Sequence, residues 1–211
     1  NAVIWKPANL VPASAFALAE IMSRQNLPAG LFNLVMGAGG SIGQQLIESP
    51  EIDAISFTGS VEVGKQIAQS AIGNLTKLQM EMGSKNALAV MDDGNMDIAV
   101  AAALGGAFGG TGQKCTASSR LIVHSAIHDE FVEKLAAGAA SMVVDNALID
   151  GTQIGPVVSQ SQLDENMAYM ELARAEGGEV ICGGERVNRD TDGYYMTPAV
   201  VAGTSNDWRV N

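Results

Sequence analysis

Cys115 is the residue in this sequence best placed to do covalent chemistry. It follows the run Gly109-Gly110-Thr111-Gly112-Gln113-Lys114 and precedes Thr116-Ala117-Ser118-Ser119-Arg120, after which an apolar strand pattern, Leu121-Ile122-Val123, begins. Upstream, residues 99–108 carry a small-residue helix pattern, so the thiol falls on a sharp helix-to-strand turn. A cysteine that presents its side chain and its backbone N–H at such a turn can attack a carbonyl carbon while its own amide stabilises the oxyanion that forms. Lys114, beside it, would favour the thiolate if its ammonium points inward.

Two glycine-bearing stretches could meet a phosphate. Gly37-Ala38-Gly39-Gly40-Ser41-Ile42-Gly43 follows a strand pattern and opens a helix. Its third glycine is one residue late for a dinucleotide fingerprint, and no acidic residue stands about 20 positions on in a ribose-binding place, so it reads as a tight turn. Thr58-Gly59-Ser60-Val61-Glu62-Val63-Gly64 is the better candidate. Gly59 lets the chain turn off its strand, and Ser60 can cap the next helix or donate to a phosphate oxygen, while the helix N-terminus supplies free amides. Lys6 and Asn9 stand at the carboxyl end of the first strand pattern, where an open parallel sheet places ligands.

The totals narrow the partners. Lys plus Arg number 12 against 23 Asp plus Glu, a formal net charge of -11. That balance argues against nucleic acid or an anionic membrane as a main partner. Any phosphate must be met locally, by backbone amides and a few placed lysines. Only Cys115 and Cys182, with His124 and His128, could serve as soft ligands, and none has metal-ligand spacing, so neither a disulfide framework nor a metal site is expected. No window approaches the roughly 18 apolar residues of a membrane span, and no signal pattern opens the chain; a reducing, cytoplasmic setting is the expectation. With 47% hydrophobic residues among 211, the chain can bury a core in one or two domains.

The elements that must position these residues alternate. Strand patterns at 2–5, 31–36, 52–57 and 75–80 are interleaved with helix patterns at 12–25, 41–48 and 61–72, as in a parallel sheet with helices on its faces. Beyond Gly83 the predicted strands are 87–91, 120–124, 179–182 and 194–201, and the helices 96–108, 127–142 and 159–176. Asp92, Asp93 or Asn95 would cap the first of those helices. The class is α/β, with a boundary expected between residues 82 and 83.

Taken together, Lys6-Pro7-Ala8-Asn9, Phe57-Thr58-Gly59-Ser60, Glu81-Met82-Gly83-Ser84-Lys85 and Gly112-Gln113-Lys114-Cys115 resemble, in order and spacing, the aldehyde dehydrogenase superfamily. The likeness covers the whole chain. Within it, Asn9-Leu10-Val11-Pro12, Phe32-Asn33-Leu34-Val35-Met36-Gly37, Cys115-Thr116-Ala117-Ser118-Ser119-Arg120 and Gly155-Pro156-Val157-Val158-Ser159-Gln160 look most like the 2-oxoglutarate semialdehyde dehydrogenases. The resemblance implies that residues 1–82 are the C-terminal half of a Rossmann-like cofactor domain and residues 83–211 the N-terminal part of an α/β catalytic domain. It implies a Cys115 thiohemiacetal, hydride loss to NAD or NADP, and thioester hydrolysis by water that Glu81 activates. Glu81 has a rationale of its own: flanked by apolar Met80 and Met82 at a strand end, it is expected in surroundings that disfavour its ionised form. Lys6, Pro7, Ala8 and Asn9 would lie by the adenosine ribose, Gly59 and Ser60 by the pyrophosphate, and Met82 also by the cofactor. Asn9 stands where many NAD-specific relatives carry a glutamate, which implies use of NADP as well as NAD.

Departures and ends complete the reading. Ser84 replaces a usual glycine, and Ala87 a common proline. The start at Asn1 and the stop at Asn211 lead to the expectation that both domains are incomplete. The family's oxyanion asparagine is then expected before Asn1 and its nicotinamide-ribose glutamate after Asn211. A piece lacking an oxyanion donor, which costs about a hundredfold or more in rate, is expected to be nearly inactive and poorly folded alone. The implied partners are a small aldehyde and, in the full-length enzyme, a second copy in a homo-oligomer. Two rivals remain: a thiol hydrolase or acyltransferase using Cys115 without nicotinamide, and a non-catalytic relative with a binding or assembly role.

Overall fold

The structure, a computed structural model, describes residues 1–211 as alternating strands and helices. They fall into two compact units, Asn1–Met82 and Gly83–Asn211. No helix is long and apolar enough to cross a membrane.

In the first unit, β1 (Val3–Trp5) pairs in parallel with β2 (Phe32–Leu34), and α1 (Pro12–Ser23) connects them. Pro12 stands at the first helical position, where a missing N–H costs no intrahelical bond. A π-helical turn, Gly39–Gly43, then runs into α2 (Gln44–Glu48). The second parallel pair is β3 (Ala54–Gly59) with β4 (Lys77–Met82), joined by α3 (Val61–Asn74). Its register sets Thr58 opposite Glu81 and Gly59 opposite Met82. Ile67 and Ala71 are buried on α3, and Ala15 on α1.

The second unit opens with β5 (Asn86–Val90), α4 (Met96–Phe108) and a 3-10 turn, Gly109–Gly112. It continues through β6 (Ser118–Val123), α5 (His128–Ala140), α6 (Gln160–Ala175), β7 (Glu179–Cys182) and β8 (Val200–Ala202). β5 and β6 are parallel, with a bulge that takes the register from Asn86 opposite Ser118 to Ala87 opposite Arg120. β7 and β8 are antiparallel. The core gathers Val90, Ala103, Phe131, Leu135, Ala139 and Val200, so α4 and α5 pack together on the β5–β6 pair. That packing anchors the helix from which the Cys115 turn departs.

Three sequence expectations are corrected. The strand expected at 75–80 begins two residues later, because Leu75 takes a left-handed conformation (φ 54°) as the C-cap of α3. The strand expected at 194–201 is reduced to Val200–Ala202; Tyr194 and Met196 make single bridges only, and Pro198 has no N–H to extend a ladder. The parallel strands form separate two-stranded pairs rather than one continuous sheet.

Candidate active site

The turn that carries Cys115 is built by backbone geometry that few residues accept. Gly110, Thr111 and Gly112 all have positive φ (63°, 62° and 68°), so the chain leaves α4 through three successive left-handed residues. Glycine adopts that conformation freely; Thr111 does so at a cost of about 1 kcal/mol or more. The Thr111 hydroxyl donates to the Gly155 carbonyl at 3.4 Å, which helps hold it there. At Gly112 a Cβ would also come within 2.9 Å of the Ala107 carbonyl oxygen. Gln113 is fixed from the far side, its side-chain oxygen accepting from the Val158 N–H at 3.1 Å.

Cys115 follows on an exposed turn closed by the Ala117 N–H donating to the Lys114 carbonyl at 3.1 Å. Asn86, at the start of β5, donates its side-chain amide to the carbonyls of Cys115 (2.7 Å) and Ala117 (3.2 Å). Both contacts fall on carbonyls, and the Cys115 N–H makes no hydrogen bond within the chain. The result is an accessible thiol beside a free amide donor, the pairing that carbonyl attack requires. Lys114 does not supply an evident partner: its stem folds back over Gly110, where a Cβ would come within 2.8 Å of its Cε.

Glu81 lies within β4 rather than beyond its end, because that strand runs to Met82. The alternation of the strand turns Met80 and Met82 to the half-buried side and leaves Glu81 exposed. The expectation of a carboxylate enclosed by its methionine neighbours is therefore corrected. Gly59 also ends a strand, β3, rather than following it. The Phe57 ring packs where its Cβ would stand. Ser60 is the N-cap of α3, its hydroxyl oxygen accepting from the Val63 N–H at 3.3 Å. The register thus brings Glu81, Met82, Gly59 and Ser60 to one end of the β3–β4 pair.

Lys6, Pro7, Ala8 and Asn9 leave the carboxyl end of β1. Pro7 is buried, whereas Ala8 and Asn9 are exposed. The Lys6 ammonium donates to the carbonyls of Pro7 (2.7 Å) and Gly37 (3.2 Å), leaving one N–H uncommitted. Its stem passes over Gly43. The glycines after β2 read as a plain turn in the sequence, and the structure gives them this further task of holding Lys6.

A dinucleotide fits these residues. The amides of Val61 and Glu62, at the start of a 14-residue helix, make no backbone hydrogen bond, and such amides suit a pyrophosphate. The Glu62 carboxylate in the same first turn works against that. Lys6 keeps one donor, and Asn9 is exposed beyond the end of β1, so both are open to a polar group.

Comparison with known proteins decides the family. Residues 1–211 match the aldehyde dehydrogenase family along their whole length. The chain belongs to the aldehyde dehydrogenase family. It is 38% identical over 212 residues to the alpha-ketoglutaric semialdehyde dehydrogenase of Bacillus subtilis, covering 100% of this chain and 43% of that protein. It is also 38% identical over 211 residues to the betaine aldehyde dehydrogenase of Rhizobium leguminosarum bv. trifolii, with the same coverage of 100% and 43%. Among solved structures it is similar to the betaine aldehyde dehydrogenase of Staphylococcus aureus in complex with NAD+. There the TM-score is 0.96 at 33% identity, over 99% of this chain and 42% of that one. HpcC of Thermus thermophilus matches with a TM-score of 0.95 at 35% identity, over 100% and 42%. The chain therefore spans about 43% of the length of the curated relatives it matches, and has the α/β fold of the matching part of aldehyde dehydrogenases.

One supporting residue escaped the sequence reading. Asn86 holds the Cys115 turn from 29 positions away. Only the β5–β6 pairing brings them together, and no local spacing could have announced it.

Proposed function

We propose that Cys115 and Glu81 serve the NAD(P)-dependent oxidation of an aldehyde to its carboxylic acid. The observation that carries this reading is the exposed Cys115 thiol, set beside its own unengaged amide on a turn pinned by Asn86, in a chain of the aldehyde dehydrogenase family. The Cys115 thiol loses its proton to solvent, the thiolate sulfur bonds to the aldehyde carbon, and the oxyanion of the thiohemiacetal accepts from the Cys115 N–H. When bound, NAD or NADP supplies the hydride acceptor, so the carbon is oxidised to a thioester on Cys115. Glu81 takes a proton from water, which attacks the thioester and releases the acid and the thiol. Lys6 and Asn9 hold the adenosine ribose in this reading, Pro7 and Ala8 line it, Gly59 and Ser60 meet the pyrophosphate, and Met82 lies by the cofactor. Residues 1–82 then belong to the cofactor domain and residues 83–211 to the catalytic domain.

For the substrate the proposal is a carboxylated semialdehyde such as 2-oxoglutarate semialdehyde. The Bacillus subtilis relative supports it, while the Rhizobium relative at equal identity supports a quaternary ammonium aldehyde as the second reading. The two differ in the sign of the charge that the aldehyde carries, a distal carboxylate in one and a quaternary ammonium next to the aldehyde carbon in the other. Assays of the intact protein with each aldehyde, and with NAD and NADP in turn, decide between them by kcat/KM. A preference for betaine aldehyde would reverse the substrate assignment but leave the reaction standing.

The reaction has its own test. Cys115→Ala should abolish NAD(P)H formation, and Glu81→Gln should lower turnover by about a hundredfold to ten-thousandfold, the usual worth of a general base. The Glu81→Gln protein should also accumulate a covalent acyl adduct on Cys115, visible in the intact mass. NAD(P)H formation that survives Cys115→Ala, or thiol-dependent hydrolysis without nicotinamide, would overturn the reading. A cytoplasmic homo-oligomer is part of the same proposal, checked for assembly by the mass of the intact protein in solution.

A further inference from the structure

A cavity of about 540 Å³ opens in the Gly83–Asn211 unit, and its charge is one-sided. Lys85 and Arg120 are the only charged side chains on its wall; no carboxylate side chain lines it, in a chain where acids outnumber bases by 23 to 12. Among the other cations of the unit, Lys134, Arg174 and Arg189 have acidic partners within 4.0 Å, whereas Lys114, Arg186 and Arg209 have none. Here the strand bulge sets Arg120 opposite Ala87, close to Lys85 in the chain. Arg120 Nε donates to the Lys85 carbonyl at 3.0 Å and Nη1 to the Asn206 side-chain oxygen at 2.5 Å. Those bonds orient the guanidinium and leave Nη2 without a partner. The Lys85 ammonium makes no hydrogen bond or ion pair and stands 6.0 Å from the centre of the Tyr169 ring, at the outer limit of cation–π attraction.

We propose that Lys85 and Arg120 together form an anion-binding site in this cavity, suited to a carboxylate or an oxyanion of similar size. Two oxygens of one group can accept from Arg120 Nη2 and from the ammonium, which a planar carboxylate does with good geometry. Burial, and then the neighbouring Arg120 charge, pull the Lys85 pKa below its ordinary value, as expected for adjacent cations that lack a counter-ion. An anion between them converts that repulsion into attraction. Two sources share this chemistry: a soluble anion, and an acidic side chain of the intact protein from outside these residues.

The test is thermal unfolding of the intact protein at constant ionic strength, with chloride exchanged for malonate or phosphate, for the parent, for Lys85→Gln, Arg120→Gln and the two together, and for Arg120→Lys. If the ligand is soluble, Tm of the parent rises saturably by a few degrees and the rise is lost in Lys85→Gln. If an acidic side chain fills the site, malonate and phosphate do nothing. Lys85→Gln then lowers Tm, and the paired change of Lys85→Gln with Arg120→Gln costs less than the two separate losses combined. Arg120→Lys, which keeps the charge but loses the planar fork and the two bonds that orient it, retains only part of the effect in either case. With no anion at the site, Lys85→Gln relieves repulsion, so Tm stays level or rises and no anion shifts it; that result overturns the proposal.

Discussion

The two cysteines of this chain occupy opposite environments, and their reactivity should divide accordingly. Cys115 is exposed on its turn, whereas Cys182 is half-buried in β7. Burial pushes the Cys182 thiol up, and a backbone hydrogen bond from Val200 offsets this only in part. A thiol that is both less accessible and less ionised reacts slowly, because the thiolate is the nucleophile. Iodoacetamide at neutral pH should therefore label Cys115 first, as peptide mass mapping at short times will report. Labelling of Cys182 ahead of Cys115, or at the same rate, would contradict the accessibility assigned to the turn. Asn86 belongs at this scale as well. By binding the Cys115 and Ala117 carbonyls it turns those dipoles towards itself and leaves the Cys115 N–H available.

Helix α3 connects β3 to β4, and its first turn carries two tasks that can be separated. Ser60 caps the helix through its hydroxyl oxygen, yet the hydroxyl hydrogen remains free to donate to a phosphate. Ser60→Ala should cost about 1 kcal/mol of stability and Ser60→Gly only a few tenths, since glycine is a tolerable N-cap. If the hydroxyl meets the cofactor, both substitutions weaken NAD binding equally despite their unequal stabilities, which calorimetric titration beside thermal unfolding resolves. Binding that follows stability instead would mark Ser60 as a cap alone. Elements whose ends are written in local chemistry were legible in the sequence. α4 spans residues 96–108 as its small-residue run and flanking polar cluster imply, and Asn95 is the one of three candidate caps that accepts from Ile98. β7 likewise spans residues 179–182 as expected. The misses have non-local or conformational causes. Leu75 reads as a strand residue but takes a left-handed cap, so that β4 starts at Lys77 and runs on to Met82. The pin from Asn86 to Cys115 depends on a register that no single segment encodes.

Across the whole chain, burial is distributed unevenly, and this sets which parts should resist opening. In Asn1–Met82 the buried hydrophobic residues are Ala15, Ile67 and Ala71, while Leu10, Phe16, Ile72 and Leu75 are each more than 60% exposed. In Gly83–Asn211, Phe131 and Leu163 are fully buried, and Val90, Ala103, Leu135 and Ala139 join Phe131 in one cluster. A fully buried large apolar side chain is worth about 1.5–3 kcal/mol, and in the first unit only Ile67 comes close to that. Segments with few buried contacts and exposed backbone hydrogen bonds open at low free energy, whereas core elements open only with global unfolding. Amide hydrogen exchange of the 211-residue chain should accordingly find its slowest amides in α4, α5 and β5, and its fastest ordered amides in α1 and the β1–β2 pair. The ordering also bears on the candidate site, because Cys115 hangs between α4 and β6 in the better-packed unit, while Ser60 and Lys6 belong to the less protected one. If α1 and β1 exchanged as slowly as α5, apolar burial within each unit could not be what governs local stability here, and the rigidity inferred for the Cys115 turn would lose its physical basis.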